Sequence, residues 1–290
     1  MKATLALILV FITGFSIVWA QESEARSPEA GNAYNKGNSL YKQKKYEEAV
    51  AQFKQAVAAD PTFYKAFYNL GVSYNKLDKT QEAKDAFKKA IEVKPDFENA
   101  YIALGKQYTD TKDWELAINT YNAVIGFNPQ SSDAYQGLGK VYFEKGDYTQ
   151  AVEPLKKAVE IDGKLYYTWY ILGTAYQQLN RHEEAVSALE QAIKFTTRKN
   201  SRGRYYWRMG ESLLQLKKYK QAQEAYLDAL KLNREDDVRA AANFGLGEVS
   251  KALGRKNDAI AYYKKAAQNR SWRDAAEREI EILNNPDKYQ

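Results

Sequence analysis

The chain has 290 residues, a formal net charge of +6, 44% hydrophobic residues, no cysteine and one histidine, His182. Absent cysteines exclude disulfides, thiolate metal sites, a cysteine nucleophile and a lipid-modified N-terminal cysteine. A lone histidine excludes a two-histidine zinc motif. Basic and acidic residues are interspersed, which fits solvated helix faces rather than a nucleic-acid-binding stripe.

The first element is a leader. Lys2 precedes a charge-free, mostly apolar run from Ala3 to Trp19, and Val18-Trp19-Ala20 suits cleavage after Ala20. This is the pattern of a signal peptide, residues 1–20. The competing reading is an uncleaved anchor, but a seventeen-residue helix reaches only about 25 Å against a bilayer core of ~30 Å. Residues 21–29, QESEARSPE, read as a flexible polar leader.

Beyond it the chain repeats itself. Gly37, Gly71, Gly105, Gly139 and Gly173 are 34 residues apart, and Gly210 and Gly247 follow at intervals of 37. Twelve residues after each comes an alanine, from Ala49 to Ala259, and four further on a large residue: Phe53, Phe87, Tyr121, Leu155, Leu189, Tyr226 and Tyr263. A fixed period in this range means stacked helical units. In the second unit Ala66, Phe67, Leu70, Gly71 and Tyr74 share one helical face, and Ala83, Phe87, Ala90 and Ile91 another, with a turn at Leu77-Asp78-Lys79-Thr80 between them. The glycines and alanines mark places where helices approach closely, so Gly71→Leu should destabilise the stack.

These residues resemble the tetratricopeptide repeat, with its W-x2-L-G-x2-Y, A-x3-F and closing proline. The second unit carries Phe67, Leu70, Gly71, Tyr74, Ala83, Phe87 and Pro95 in register. The resemblance covers residues 30 to 273. Gly163, Thr197, Arg234 and Ser271 replace the closing proline in the last four units, and Ala33 and Asn243 replace the first aromatic at the two ends. The resemblance implies an all-α, right-handed solenoid of seven helix-turn-helix units at 30–63, 64–97, 98–131, 132–165, 166–199, 203–236 and 240–273. A capping helix is expected at 274–285, stopped by Asn284-Asn285-Pro286.

The resemblance also implies a concave groove, lined by the first helix of each unit, that holds a partner's extended peptide or helix. In this register the groove positions of the first half include Tyr34, Asn35, Asn38, Lys42, Lys65, Tyr68, Asn69, Asn75, Lys76 and Lys106. Asparagine amides suit a peptide backbone, and the lysines would favour acidic groups in the partner. The second half offers Tyr167, Tyr170, Ile171, Trp207, Arg208, Leu214 and Phe244, the residue types of interface anchors. The alternative is that these tyrosines lie partly buried between units and the lysines merely solvate the surface. Some members of the family clamp an acidic chaperone tail. Asn38 and Asn69 match its asparagines, but Tyr34, Asn99 and Ala103 stand where its cations belong, so that ligand is not carried over.

Other features read as ordinary. His182 opens a second helix as a solvated residue, Pro154 should bend its helix, and Arg198 to Arg202 form a basic insertion expected to be a loop. Asn269-Arg270-Ser271 is formally a glycosylation triplet. No enzyme motif is present and no cofactor or metal is expected. The reading is an exported, non-catalytic interaction scaffold, placed most naturally in a bacterial periplasm. The alternatives are an assembly factor for a secretion, pilus or outer-membrane machine, an accessory subunit of an envelope enzyme, or a glycan binder using Tyr170, Trp207 and Phe244.

Overall fold

The structure, a computed structural model, describes residues 27–288, so the signal segment and residues 21–26 lie outside the described residues. Within them fifteen α-helices follow one another, with no strand. They pair in order: α1 (Pro28–Lys42) with α2 (Tyr46–Ala59), α3 (Tyr64–Lys76) with α4 (Thr80–Val93), α5 (Glu98–Asp110) with α6 (Trp114–Phe127), and α7 (Ser132–Lys145) with α8 (Tyr148–Ile161). Then come α9 (Tyr166–Gln178) with α10 (His182–Phe195), α11 (Lys199–Gln215) with α12 (Tyr219–Leu232), and α13 (Asp236–Ala252) with α14 (Lys256–Ala266). The single helix α15 (Arg273–Asn284) packs on α14 and closes the stack. Each pair otherwise contacts only its neighbours, the architecture of a solenoid.

Each pair is closed by one contact. The recurring alanines, Ala49, Ala83, Ala117, Ala151, Ala185, Ala222 and Ala259, are all fully buried. The large residue four positions on lies against the repeat glycine. A Cβ on Gly71 would sit 2.6 Å from Phe87 Cε1, and one on Gly247 2.5 Å from Tyr263 Cε1. No other residue fits there without displacing a buried ring.

The turn within each pair also has one solution. The residue seven positions after the repeat glycine is left-handed in all seven units: Lys44, Asp78, Lys112, Gly146, Asn180, Lys217 and Gly254, with φ from 55° to 86°. The next N–H then reaches back to a carbonyl near the helix end, as from Lys79 to Tyr74 (3.0 Å) and Arg255 to Ser250 (2.8 Å). This C-terminal motif satisfies carbonyls the helix leaves open. Proline follows α2, α4 and α6 at Pro61, Pro95 and Pro129, where no further helical turn can form.

The structure differs from the sequence expectations at several points. The first helix begins at Pro28, inside the stretch read as leader, because the Ser27 hydroxyl accepts from the Ala30 N–H and Pro28 suits a first turn. The basic insertion is not a loop. Its residues from Lys199 on add a turn to the start of α11, and the second insertion does the same for α13, so these two helices have 17 residues each. Gly203 makes the extension possible by passing close to Asn233, where a Cβ would meet Asn233 Cβ at 2.6 Å. The Asn233 amide donates to the Asn200 carbonyl (2.8 Å) and Arg202 to that of Thr196 (2.7 Å). The capping helix starts at Arg273 and ends at Asn284.

Six junctions join consecutive units, and a pattern across them was not visible in any one repeat. The large residue of each second helix can be paired in register with the residue two positions before the next repeat glycine, a pairing the structure makes a direct contact at Gly137 and Gly245. The pairs are Phe53 with Asn69, Phe87 with Ala103, Tyr121 with Gly137, Leu155 with Ile171, Leu189 with Arg208, and Tyr226 with Gly245. Tyrosine occurs only opposite glycine. A Cβ on Gly137 would stand 2.3 Å from Tyr121 Cζ, and one on Gly245 2.3 Å from Tyr226 Cζ. At these two junctions the phenol lies against the glycine and lines a cavity at the first-helix layer.

Candidate functional site: the inner groove

The first helices of successive units also touch one another, as α5 does α7, α7 does α9 and α11 does α13. They form the inner, crowded layer, and the side chains they turn away from the second helices line its open face. The groove residues named from sequence therefore sit on α1, α3, α5, α9, α11 and α13.

At the first end Asn69 Nδ2 donates to Asn38 Oδ1 (2.7 Å) and to the Tyr34 hydroxyl (3.2 Å). These links join α1 to α3, so part of each amide's capacity serves the fold and part remains for a ligand. Tyr34 is half-buried against Phe53 and Phe63, and Tyr68 against Phe87 and Phe97. Burial, with Tyr41 nearby, raises the Tyr68 phenol pKa. Asn35, Lys42, Lys65, Lys76 and Lys106 are exposed, and none of these lysines has a salt bridge among the described residues. The Asn75 Oδ1 atom is buried with no hydrogen-bond partner.

In the middle, Lys106 and Tyr167 share a depression of about 240 Å³ with Tyr121, Gln136, Gly137 and Lys140. Tyr167 is 48% exposed. The Tyr121 phenol is pushed up to about 12 by burial, which outweighs its hydrogen bond with Thr109. Tyr170 stacks on Tyr205 at 4.6 Å and lies between units.

The last two units place Trp207, Arg208 and Phe244 in one neighbourhood. The Arg208 guanidinium lies 4.4 Å from the Trp207 ring centroid and donates to Glu211 (3.1 Å). Phe244 packs between Tyr263 (5.3 Å) and Trp272 (5.1 Å). Leu214 lines a cavity together with Trp207 and Phe244, whereas Ile171 is buried in the core. Tyr170, Trp207 and Phe244 do not stack on one another among the described residues. The aromatic residues thus fall into two separate groups, one around Tyr167 and one around Trp207. Sequence reasoning missed Tyr121, Tyr226, Gly137, Gly245, Glu211, Glu248 and Trp272. The signal available was the pairing of tyrosine in one unit with glycine in the next.

Elsewhere, Lys84 is nearly buried. Its Nζ reaches Asp113 (2.9 Å) and Thr111 (2.8 Å) and sits 4.9 Å from the Tyr108 ring centroid, tying the second unit to the third. His182 is half-buried with Nδ1 unpartnered. The Asn269 amide of the glycosylation triplet donates to Asp237 (2.8 Å). No group of three or more His, Asp or Glu residues that could hold a metal ion occurs among the described residues.

Family comparisons follow the same repeats. A model described as TPR repeat matches residues 37–78, and models described as tetratricopeptide repeat match 64–97 and 208–276. A model described as anaphase-promoting complex, cyclosome, subunit 3 matches 96–192. No curated protein matches the chain at a significant level. Among solved structures, the C-terminal part of a TPR repeat-containing protein from Cytophaga hutchinsonii is 18% identical, with a TM-score of 0.68, covering 83% of this chain and 98% of that one. A tetratricopeptide repeat protein from Parabacteroides merdae is 18% identical, with a TM-score of 0.58, over 88% of this chain and 99% of that one. The pilF protein of Pseudomonas aeruginosa is 17% identical, with a TM-score of 0.60, over 74% of this chain and 97% of that one. Such identities speak for the fold alone. With the repeat signature running from the first helix pair to the seventh, the chain belongs to the tetratricopeptide-repeat family.

Proposed function

We propose that the protein is an exported interaction scaffold whose inner groove holds an extended segment of a partner protein. The observation that carries this is the first end of the groove. Lys42, Lys65 and Lys76 stand exposed on α1 and α3, without salt bridges among the described residues and on the helices that the amides bridge, and Lys106 continues the row on α5 toward the middle. Unpaired cations over a preorganised polar floor suit a peptide carrying carboxylates, because binding forms charge-assisted hydrogen bonds without breaking existing ion pairs. The leader from Lys2 to Ala20 supports a place in a bacterial cell envelope, with the periplasm as the compartment. A role in assembling a pilus, secretion or outer-membrane machine is the second reading. It is favoured by likeness in fold to the pilF protein, and it would use the same groove.

The test is a pull-down from envelope extract with residues 21–290 as bait, beside an Asn38→Ala/Asn69→Ala/Lys106→Ala variant of unchanged helical signal and melting. A partner held by the parent, released by rising salt and lost by the variant is the expected result. Equal capture by both would move the site away from this end, and no capture by either would remove the peptide-groove reading.

A further inference from the structure

At the other end of the groove a cavity of about 300 Å³ opens between α11, α13 and Trp272, the residue that precedes α15. Its charged residues are Glu211 and Glu248, and Trp207, Phe244 and Trp272 stand around it. Its floor includes Tyr226, a second-helix residue that reaches this surface because Gly245 lacks a side chain. Tyr226 is 1% exposed, and its hydroxyl takes part in no hydrogen bond among the described residues. Burial, and after it the charges of Glu211 and Glu248, raise the pKa of that phenol. A hydroxyl that opens into a cavity and that no protein group engages marks where a ligand atom would be satisfied.

The local charges do not balance. Glu211 accepts from Arg208, and Glu248 accepts from Lys251 (2.8 Å) and from the Tyr263 hydroxyl. Lys251 also binds Glu279 (2.7 Å). Three carboxylates against two cations leave one net negative charge. Burial raises the Glu211 carboxyl pKa and Arg208 opposes the shift. Against burial, which lowers it, Glu248 and Glu279 hold Lys251 above its ordinary pKa. One more positive charge would neutralise the group.

We propose that this cavity receives a primary ammonium group, the side chain of a lysine in the segment held along the groove. This rests on the peptide-groove reading given above and adds the chemistry of a second anchoring point. An ammonium carries three donors and can meet Glu211, Glu248 and the Tyr226 oxygen together. Its compact charge suits a small pocket better than a guanidinium fork does. Phe244 and Trp272, packed on each other, give the methylene stem an aromatic wall to lie along. Together with the lysines at the other end, the cavity would fix the direction of the bound segment, with carboxylates toward α1 and a lysine toward α15.

The experiment uses n-butylammonium chloride, the lysine side chain without its backbone, and needs no identified partner. Residues 21–290, which contain the whole described fold, are labelled with 5-fluorotryptophan and followed by fluorine NMR. The expected result is a saturable shift of the Trp207 and Trp272 signals, with Trp114 and Trp169 unmoved and n-butanol without effect. Glu211→Gln should weaken binding roughly tenfold, the loss of a charged hydrogen bond. Tyr226→Phe, which places the residue already present as Phe53 and Phe87, should weaken it about threefold and keep the fold. If Glu211→Gln fails to fold, the Tyr226→Phe comparison decides alone. No saturable shift, an equal response to n-butanol, or parent-like binding by a folded variant overturns the proposal. These outcomes are separate from the pull-down. Capture without butylammonium binding would remove the lysine site and keep the groove. Butylammonium binding without capture would do the reverse.

Discussion

Replacing Gly245 by alanine adds one methyl group inside α13. In a helix interior that change normally stabilises, since glycine is about 1 kcal/mol worse than alanine. Here the new Cβ would lie 2.3 Å from Tyr226 Cζ and 2.6 Å from both Cε atoms. Ordinary carbon contacts need ~3.5 Å, so the ring must retreat by about 1 Å. Behind it lies its own helix pair, with Gly210 already in contact. Overpacking costs ~1–3 kcal/mol, and three ring atoms struck at once place the net effect at a loss of about 2 kcal/mol. Gly126→Ala in α6 is the control, because its Cβ would meet nothing within 4 Å and should add roughly 0.5–1 kcal/mol. Urea unfolding followed by circular dichroism at 222 nm reads both. A third variant, Gly245→Ala/Tyr226→Leu, reproduces the way Leu155 tolerates Ile171, and should lose less than the sum of its single changes by about 1 kcal/mol or more. If Gly245→Ala proves as stable as Gly126→Ala, the account of the tyrosine–glycine junction is wrong.

Other expectations follow from the same contacts. Lys44, Lys112 and Lys217 hold left-handed backbone, so exchanging each for glycine should raise stability by about 0.5–1 kcal/mol, readable as a higher urea midpoint; unchanged or lower midpoints would contradict this. The Thr111 hydroxyl and Lys84 hold the Asp113 carboxyl below its ordinary pKa. That contribution is complete above the unfolded value near pH ~4 and is lost as pH falls through the lower folded value. An acid titration of Asp113→Asn should therefore run below the parent at neutral pH and converge with it under strong acid, and a constant gap would exclude the linkage.

Much of the fold was legible because its determinants repeat. A glycine, an alanine and a large residue at fixed offsets give the helix pairing, and seven copies make chance agreement implausible. What stayed hidden depended on residues in different units or on backbone conformation. The Tyr226–Gly245 pair spans two repeats and is invisible to a reading that aligns repeats one above another. The insertion at Arg198 to Arg202 has the polar composition of a loop, yet charged residues also suit an exposed first turn, and only the approach of Gly203 to Asn233 decides between them. The left-handed turn positions are evident at Gly146, Asn180 and Gly254 and not at the lysines. At the groove, residue positions could be read from the register. Their engagement with one another could not. Arg208 is held by Trp207 and Glu211, and Asn38 by Asn69.

The two phenols that line cavities at the inner layer have a mechanical consequence. Elsewhere in the stack the first helices insulate the second helices from whatever occupies the groove. At Tyr121 and Tyr226 the floor beneath the occupant belongs to α6 and α12 themselves. An occupant that displaces either phenol pushes against a ring wedged between a pair of glycines, and the push is carried into the helix that bears it. The outer helices α6 and α12 thus each share one side chain with the inner surface.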